Sequence, residues 1–240
     1  EVTFPEDFSE LGGGYPLSKW VAEKLVHQAA HRGLSVTIFR VGRVMGETTT
    51  GVCNTGDFLY AMLKGSLQLG CYPALPWSID PVPVDFVSRV VVAVLMAPRQ
   101  QWLALRQSQA VQSGASALPY VCLHLSNPSG MPLTDLFARV CALRPGLASV
   151  REVAFEEWRA RLLVACGADG VAAAAAAAAA ADGMSGNALA PFLPIIGPDL
   201  HEHAPPTIHA SWSVARLHTL DIECPPFDSA LLEVYCRYLW

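Results

Sequence analysis

The sequence predicts an α/β fold in which parallel strands alternate with helices. Two kinds of segment indicate it: short β-branched or apolar runs bounded by turn residues, and longer stretches with apolar residues at helical spacing. Their alternation along the chain is the third observation, because strand–helix–strand units favour a parallel sheet. Apolar residues make up 52% of the 240 residues and charged residues 15%. The chain can therefore bury a core, and its length suits one domain or one and a half.

The first half of the chain carries the clearer alternation. Its helical stretches place apolar residues on one stripe, and its loops are rich in glycine and proline. The predicted elements are a loop over Glu1 to Gly14, a helix over Tyr15 to His31 ended by Gly33, a strand over Val36 to Phe39, a polar loop over Arg40 to Gly51, a helix over Asp57 to Lys64, a short edge strand within Trp77 to Asp85, and a buried helix over Phe86 to Met96 with Asp85 as its N-cap.

The second half alternates less regularly. A Gln- and Ser-rich stretch and a run of ten alanines interrupt it, and we interpret both as insertions, the first of them exposed. The predicted elements are the insertion at Gln100 to Ala117, a strand over Tyr120 to Leu125, a helix over Leu133 to Leu143 ended by Pro145, a strand over Val150 to Phe155, a helix over Phe155 to Cys166, the alanine run Ala172 to Ala181, a helix within Asn187 to Ile196, a loop over His201 to His209, and a closing helix over Asp228 to Leu239.

Charge and cysteine content narrow the class of protein. The formal net charge of −5 argues against nucleic acid or an acidic membrane as partner, since phosphate binding needs a basic face. The seven cysteines include no C-x-x-C pair, which favours free thiols in a reducing compartment. No apolar run suits a membrane span, and the N-terminal residues lack a signal-peptide layout. We therefore expect a soluble, cytoplasmic protein.

The sharpest chemical feature is the segment Tyr15-Pro16-Leu17-Ser18-Lys19. Tyr15 and Lys19 are four residues apart, so they stand on the same face of a helix. A nearby ammonium favours the ionised form of a phenol, which makes the phenol a better proton donor at neutral pH. The spacing alone is weak evidence, because a half-buried tyrosine beside a surface lysine has the same pattern.

The surrounding residues add a family resemblance. The segment GGGYPLSKWVAEKLVHQAAHRGLSVTIFRVGRVMGE resembles the extended short-chain dehydrogenase/reductase family. The segments NTGDFL, LKGSLQLG and PVDFVSRVVV are similar to its thioester reductase domains, found in α-aminoadipate reductase, carboxylic acid reductases, and non-ribosomal peptide and polyketide synthases. Weaker likeness continues at FEEWR, NALAPFL and the C-terminal CPPFD segment.

The resemblance implies a fold and a division of the chain. The fold would be the C-terminal portion of a Rossmann-type extended short-chain reductase, with a helical substrate-binding subdomain. Residues 1–98 would hold the Tyr/Lys helix and the second half of the Rossmann core, residues 99–118 an insertion, and residues 119–240 the substrate-binding subdomain with the poly-alanine insertion 172–181.

The resemblance also implies an activity and its residues. The domain would use NADPH to reduce an acyl thioester, held on the phosphopantetheine arm of a carrier domain, to an aldehyde or an alcohol; aminoadipate, polyketide and peptide acyl chains are the candidates. Tyr15 would donate the proton, and Lys19 would bind the cofactor ribose. The backbone of Val41, Gly42 and Arg43 would lie against the nicotinamide, although the family commonly has proline where Val41 stands.

Further residues have two open interpretations. The resemblance places Asn54, Asp57 and Phe58 on the substrate side. A helix N-cap for Asn54 or Asp57 and a core position for Phe58 explain them at least as well. Arg40 and Arg43 could meet a cofactor phosphate or pair with acidic side chains, and for Arg40 we favour the second interpretation.

One expected motif is missing from the sequence. The family's glycine fingerprint, which cradles the dinucleotide pyrophosphate at a helix N-terminus, does not occur in these 240 residues, and Gly12-Gly13-Gly14 has no strand before it. We therefore expect the N-terminal dinucleotide-binding half to be absent and the isolated chain to be inactive. A fragment, a truncated gene product and a second contributing chain remain open explanations.

Two other functions remain open. The chain could be a non-catalytic remnant that binds a carrier domain or another partner, or a sugar-nucleotide epimerase-type reductase, which also carries Tyr-x-x-x-Lys. The segment LKGSLQLG argues against the second. Histidines at 201, 203 and 209 offer metal-ligand types, but a Pro-rich loop without a nearby cysteine favours solvated side chains, and we predict no metal site.

Overall fold

The predicted α/β fold with mainly parallel strand pairs is confirmed. A computed structural model describes residues 14–114, 118–167, 186–202 and 210–239. The predicted N-terminal loop up to residue 13, the alanine run 172–181, and residues 203–209 of the histidine-containing loop lie outside the described residues. The chain divides into two compact units, each built from three segments. The division into residues 1–98, 99–118 and 119–240 that the resemblance implies stays a prediction.

The first unit is formed by segments within residues 1–42, 85–126 and 208–224. Its centre is a parallel pair of six-residue strands, β1 and β6, in register from Val36 opposite Tyr120 to Val41 opposite Leu125. Helix α1 packs on β1, while α4 and α7 pack on β6. The elements are α1 (Gly14–His31), β1 (Val36–Val41), most of α3 (Val84–Met96), α4 (Arg99–Ser113), β6 (Tyr120–Leu125) and α7 (Ser211–His218).

The turn between α1 and β1 depends on a glycine. Gly33 has φ of +100°, a backbone conformation that side chains with a Cβ rarely adopt. The amide of Gly33 donates to the carbonyl of Ala30 at 2.9 Å, which closes the helix. Gly33 therefore ends α1 as the sequence predicts.

The stretch predicted to be an exposed insertion, residues 100–117, is only partly exposed over its described part, and its being an insertion stays a prediction. Residues Arg99–Ser113 form helix α4, in which Leu105, Gln109 and Ala110 are buried. The Gln109 amide pairs with both backbone groups of one strand residue: its Oε1 accepts from the Cys122 N–H at 2.8 Å, and its Nε2 donates to the Cys122 carbonyl at 2.6 Å. The polar composition of this segment gave no sign of a packed helix. The buried polar side chain, Gln109, is there because its amide pairs with the backbone at the edge of β6.

Helix α3 also differs from its prediction. It begins at Val84, so Asp85 lies in its first turn and is not its N-cap. The helix was expected to be buried all round, yet its buried residues are Phe86, Val90 and Val94, while Leu95 and Met96 are 70% and 79% exposed. Burial follows one face, as helical spacing requires, and apolar composition alone does not reveal which face.

The second unit is formed by segments within residues 43–84, 127–207 and 225–240. This unit contains three short strand pairs. The pairs β2–β5 and β3–β8 are parallel, and the pair β4–β7 is antiparallel. The strands are β2 (Val44–Met45), β3 (Cys71–Pro73), β4 (Ser78–Ile79), β5 (Val82–Pro83), β7 (Met131–Pro132) and β8 (Arg151–Val153). The helices are α2 (Phe58–Leu69), α5 (Leu133–Ala142), α6 (Phe155–Ala165) and α8 (Ser229–Leu239), with 3₁₀ turns at Pro145–Leu147, Ala190–Ile195 and Leu200–Glu202.

Prolines account for two departures from the predicted elements. The edge strand expected within residues 77–85 is two separate strands, β4 and β5, which belong to different pairs and flank Pro81. The helix expected within residues 187–196 is a 3₁₀ helix that carries proline at its start and Pro194 inside. Proline lacks the N–H that a continuous ladder or α-helix needs.

Three segments that carry the sequence resemblance pack together in the second unit. The indole of Trp158 donates to the Ser66 hydroxyl at 3.1 Å, and both side chains are fully buried. The Asn187 side chain donates to the Gly65 carbonyl at 2.9 Å, and a Cβ on Gly65 would lie 2.6 Å from its Oδ1. The segments LKGSLQLG, FEEWR and NALAPFL therefore form one contact region.

Candidate functional site

The Tyr15 and Lys19 side chains lie together at the start of α1. The Lys19 Nζ is 5.5 Å from the centroid of the Tyr15 ring, as one helical turn between them allows. The Tyr15 side chain is 74% exposed. The Ser18 hydroxyl donates to the Tyr15 carbonyl at 2.8 Å, which supports the first turn. The phenol and the ammonium are thus adjacent and accessible to a ligand.

A second tyrosine–lysine pair has the same spacing and almost the same geometry. In α2, the Lys64 Nζ is 5.6 Å from the Tyr60 ring centroid. Tyr60, however, is only 6% exposed and belongs to the core of the second unit. The Tyr-x-x-x-Lys spacing therefore does not define a site by itself, and the exposure of the phenol distinguishes Tyr15 from Tyr60.

Arg40 pairs with an acidic side chain, as we favoured from the sequence. Its Nη2 donates to Glu23 Oε1 at 2.6 Å and its Nε donates to the same oxygen at 3.1 Å. Burial has the largest single effect on the pKa of Arg40 and lowers it, but the hydrogen bond to Glu23 and the nearby acidic groups together outweigh burial, so the pKa is raised. The pair joins α1 to β1, so the Tyr15–Lys19 helix is tied to the strand that leads to Val41 and Gly42.

Some backbone groups of Gly42 and Arg43, just after β1, already have hydrogen-bond partners within the fold. The Gly42 N–H donates to the Leu125 carbonyl at 2.8 Å and so extends the β1–β6 ladder, while Val41 is 36% exposed. Arg43 belongs to the second unit, where its carbonyl accepts from the Val82 N–H and its guanidinium lies 5.9 Å from the Trp77 ring centroid. Of Val41, Gly42 and Arg43, Val41 therefore has the largest exposed fraction.

The loop that follows Arg43 is held by its own side chains. The Glu47 carboxylate accepts hydrogen bonds from the hydroxyl and backbone N–H groups of Thr49 and Thr50. These bonds, that of the Thr49 hydroxyl foremost, lower the pKa of Glu47 to about 2. Gly51 has φ of +74°, and a Cβ there would lie 2.5 Å from the Val234 carbonyl oxygen. Glycine is thus required where this loop meets α8.

The proposed substrate residues all have structural partners in the second unit. Asp57 is the N-cap of α2, because its Oδ1 accepts from the Leu59 N–H at 2.8 Å. The Asn54 Oδ1 accepts from the Gly56 N–H at 3.0 Å. The Phe58 ring lies edge-on to Phe192, with centroids 5.3 Å apart. The capping interpretation holds for Asp57, and substrate contact stays a prediction for all three.

Sequence reasoning missed a polar cluster beneath α1. His27 lies 3.5 Å from Glu23 and its ring stacks on Tyr120 at 4.3 Å between centroids. His124 is opposite Arg40 in the strand register, and both nitrogens of its imidazole are buried without a hydrogen-bond partner in the described part of the chain. Burial lowers the pKa of both histidines. The sequence signal for this cluster was that Tyr15, Lys19, Glu23 and His27 are each four residues apart and so share one face of α1.

The donor groups fit one part of a nicotinamide cofactor. An exposed ammonium beside a phenol offers hydrogen-bond donors suited to ribose hydroxyls and to a carbonyl oxygen. Within the described ranges, no group of three or more His, Cys, Asp or Glu side chains is arranged to hold a metal ion. Of the histidines considered as ligands, His203 and His209 are outside those ranges. None of the described helices is long and apolar enough to cross a membrane.

Comparison with known sequences shows related reductases. Residues 3–91 match a family of NAD-binding domains described as "Male sterility protein". The chain is 49% identical over 88 residues to the L-2-aminoadipate reductase large subunit of Penicillium chrysogenum, covering 37% of this chain and 6% of that protein. It is 30% identical over all 240 residues to a subunit of the linear gramicidin synthase of Brevibacillus parabrevis, of which it covers 4%. The chain thus corresponds to a small part of each relative.

Solved structures share the fold over nearly the whole chain. The terminal R domain of the myxalamid PKS-NRPS pathway superposes with a TM-score of 0.69 at 28% identity, over 96% of this chain and 50% of that one. A thiolation-reductase di-domain of an archaeal non-ribosomal peptide synthetase has a TM-score of 0.66 at 21% identity, over 99% of this chain and 42% of that one, and so shares the fold. The chain spans about half of the R domain.

Fold and likeness together define the class: an α/β chain with the fold of reductase domains of the extended short-chain dehydrogenase/reductase type. Within that class, the chain belongs with the thioester reductase domains, the group that includes the reductases of aminoadipate and of non-ribosomal peptide and polyketide synthases. The resemblance stated from the sequence is therefore confirmed.

Proposed function

We propose that this chain is part of an NADPH-dependent reductase that releases an acyl group from a carrier domain. The substrate is an acyl thioester on a phosphopantetheine arm, and the product is the aldehyde, or the alcohol after a second reduction. The observation that carries the proposal is the exposed phenol of Tyr15 with the Lys19 ammonium 5.5 Å from its ring. Relatives that include an aminoadipate reductase and part of a gramicidin synthase support it, with an aminoadipate, polyketide or peptide chain as the acyl group.

The chemistry requires one proton and one hydride for each aldehyde formed. When bound, the nicotinamide cofactor supplies the hydride. The Tyr15 phenol donates its proton to the thioester carbonyl oxygen as negative charge develops there. Loss of the thiol from the resulting hemithioacetal then releases the aldehyde. The Lys19 ammonium holds the ribose hydroxyls, so it orients the cofactor beside Tyr15.

The other side chains have supporting roles in this proposal. Val41, Gly42 and Arg43 flank the nicotinamide through the backbone after β1, with Val41 providing exposed surface. Asn54, Asp57 and Phe58 lie near the acyl substrate. Asn54 also accepts from the Gly56 N–H, Asp57 caps α2, and the Phe58 ring packs on Phe192. A carrier domain, in the same polypeptide or supplied by a partner, presents the thioester.

The decisive experiment is Tyr15→Phe in the reductase polypeptide that contains this chain. We expect aldehyde formation to fall by roughly two to four orders of magnitude with NADPH affinity nearly unchanged, because the variant removes a proton donor and keeps the ring. Aldehyde is measured by product chromatography and NADPH binding by nicotinamide fluorescence. Wild-type turnover in the variant would reject Tyr15 as the acid.

The chain provides a matched control in Tyr60→Phe. This variant removes the same hydroxyl from a Tyr-x-x-x-Lys pair of the same geometry, but in a phenol that is 6% exposed. We expect turnover to be retained. If both variants lost activity equally, exposure would not distinguish the two pairs. A protein that bound a carrier domain but showed neither NADPH binding nor reduction would support the alternative of a non-catalytic binding module.

A further inference from the structure

Helix α1 carries four polar side chains, each one turn from the next: Tyr15, Lys19, Glu23 and His27. Residues four apart on a helix are neighbours, so Lys19 can reach a phenol on one side and a carboxylate on the other. The structure has the Lys19 ammonium over the Tyr15 ring. Glu23 makes its ion pairs with Arg40 and His27 and, among the described residues, none with Lys19.

Arg40 holds the Glu23 carboxylate from outside the helix. Its guanidinium reaches Oε1 through Nη2 at 2.6 Å and through Nε at 3.1 Å, and Nε is 3.4 Å from Oε2. The Arg40 and Glu23 side chains are 22% and 20% exposed, so solvent screens the pair only in part. A guanidinium is charged at all accessible pH values. Arg40 therefore neutralises Glu23 permanently.

His27 does not replace Arg40 in this role. Its Nε2 is 3.5 Å from Glu23 Oε1, longer than either contact from Arg40 to that oxygen. Burial lowers the pKa of His27, and the nearby Arg40 charge acts in the same direction, although Glu23 opposes both. The imidazole is therefore mainly neutral at pH 7. Without Arg40, the Lys19 ammonium, one helical turn from Glu23, is within reach of the Glu23 carboxylate.

We propose that Arg40 is a positioning residue for Lys19. By pairing with the Glu23 carboxylate from β1, Arg40 keeps that carboxylate away from Lys19, and the Lys19 ammonium stays beside Tyr15. The inference rests on the proposed function of Tyr15 and Lys19. The contact between the exposed Lys19 and Tyr15 side chains is weak, so an unpaired Glu23 carboxylate can compete with it. Whether the Glu23 carboxylate is paired with Arg40 therefore decides whether Lys19 contacts Tyr15 or Glu23.

The same ion pair could instead act only as a tether between α1 and β1. The positioning role and the tether role predict different activities when Arg40 or Glu23 is replaced. Glu23→Gln breaks the ion pair and also removes the competing carboxylate, so a positioning role predicts near-normal activity. Arg40→Met breaks the ion pair and leaves the carboxylate to draw Lys19 away. A tether predicts equal losses for both substitutions.

The first test measures geometry in the 240-residue chain. Crystal structures of Arg40→Met and of Arg40→Met/Glu23→Gln are compared with that of the parent. We expect the Lys19 Nζ within 4 Å of a Glu23 carboxylate oxygen in the single variant, and over the Tyr15 ring in the double variant. Lys19 remaining over Tyr15 in the single variant would overturn the proposal. If Arg40→Met does not fold, Arg40→Gln replaces it with the same expected results.

The second test measures aldehyde formation in the reductase polypeptide that contains the chain. We expect Arg40→Met to lower kcat/KM roughly three- to tenfold, and Glu23→Gln and the double variant to stay within about twofold of the parent. Arg40→Lys keeps the charge and should restore most of the loss. Arg161→Met, which breaks an ion pair of the same 2.6 Å length with Glu157 in the second unit, is the matched control and should have no effect.

The outcomes separate this inference from the proposed function. Equal losses for Arg40→Met and Glu23→Gln, with Tyr15→Phe still inactive, would overturn the positioning role and leave Tyr15 as the acid. Full turnover in Tyr15→Phe would overturn the proposed function and, with it, the catalytic meaning of Arg40. The crystallographic contact between Lys19 and Glu23 would still report whether Arg40 keeps them apart.

Discussion

At the scale of single residues, exposure separates side chains that have the same spacing. Tyr15 and Tyr60 both precede a lysine by four residues, and both rings carry that lysine's ammonium within 6 Å of the centroid. Tyr15 faces solvent, whereas Tyr60 is 6% exposed. A proton donor must reach the substrate, and for that reason the proposed function assigns the proton to the exposed Tyr15 and not to the buried Tyr60. The spacing could be found in the sequence; the exposure depends on what α1 and α2 pack against.

Two buried thiols allow a prediction about pH dependence. Burial raises the pKa of Cys122 and of Cys236 to about 11. The thiolate is the reactive form, so at pH 8 about one thiol in a thousand is ionised at either site. We expect both to resist iodoacetamide at pH 8 in the folded chain and to react in 6 M guanidinium, as followed by mass spectrometry of tryptic peptides.

The partly exposed Cys141 is the internal comparison for that experiment. It is less buried than Cys122, and burial also raises its pKa. We expect Cys141 to be alkylated before Cys122 and Cys236 in the folded chain. Labelling of Cys122 at the same rate as Cys141 would show that the β6 face is open to solvent.

At the scale of elements, a buried glutamine joins α4 to β6. Gln109 is 2% exposed, and its amide satisfies both the N–H and the carbonyl of Cys122. Strand edges leave such groups unpaired unless a further strand or a side chain meets them. The amide therefore takes the place of a neighbouring strand at this position.

Replacing that glutamine tests the contact. Gln109→Leu keeps the approximate volume but leaves two buried backbone groups without partners, so we expect the free energy of unfolding to fall by about 2–4 kcal/mol. Urea denaturation followed by circular dichroism measures it. Gln107→Leu, at an exposed position of the same helix, is the control and should change stability by less than about 0.5 kcal/mol. If Gln109→Leu lowered the free energy of unfolding no more than Gln107→Leu does, the Gln109 hydrogen bonds would add no stability.

At the scale of the whole molecule, the chain corresponds to part of a reductase. It covers 50% of the R domain it superposes on, and its described residues include no glycine-rich phosphate cradle. The Tyr15–Lys19 pair can hold the ribose of a cofactor, yet most binding energy for a dinucleotide comes from contacts to its phosphates at a helix N-terminus. In the proposed function, the described residues therefore supply only part of the cofactor site.

This division predicts weak cofactor binding by the 240-residue chain alone. We expect no saturable change in NADPH fluorescence up to about 1 mM, since one ribose contact contributes little to affinity. The same titration on a reductase polypeptide that also carries a dinucleotide-binding half should saturate. Micromolar binding by the 240-residue chain would show that it holds a phosphate site of its own.

The sequence by itself determined some of the local elements and the neighbours within α1. Helix α1, strands β1 and β6, and the cap of α2 by Asp57 lie where residue spacing and capping chemistry predict them. The proximity of Tyr15 and Lys19 needs only helical geometry, because residues four apart always share a face. The family likeness likewise depended on short contiguous motifs.

Only the tertiary structure decided which distant groups meet. Glu23 and Arg40 are 17 residues apart and Ser66 and Trp158 are 92 apart, so no local rule pairs them. Strand register sets Arg40 opposite His124, and the packing of α4 turns a polar, apparently exposed stretch into a buried support for β6. Long-range partners depend on the packing of whole elements, whereas helix and cap positions depend on a few adjacent residues.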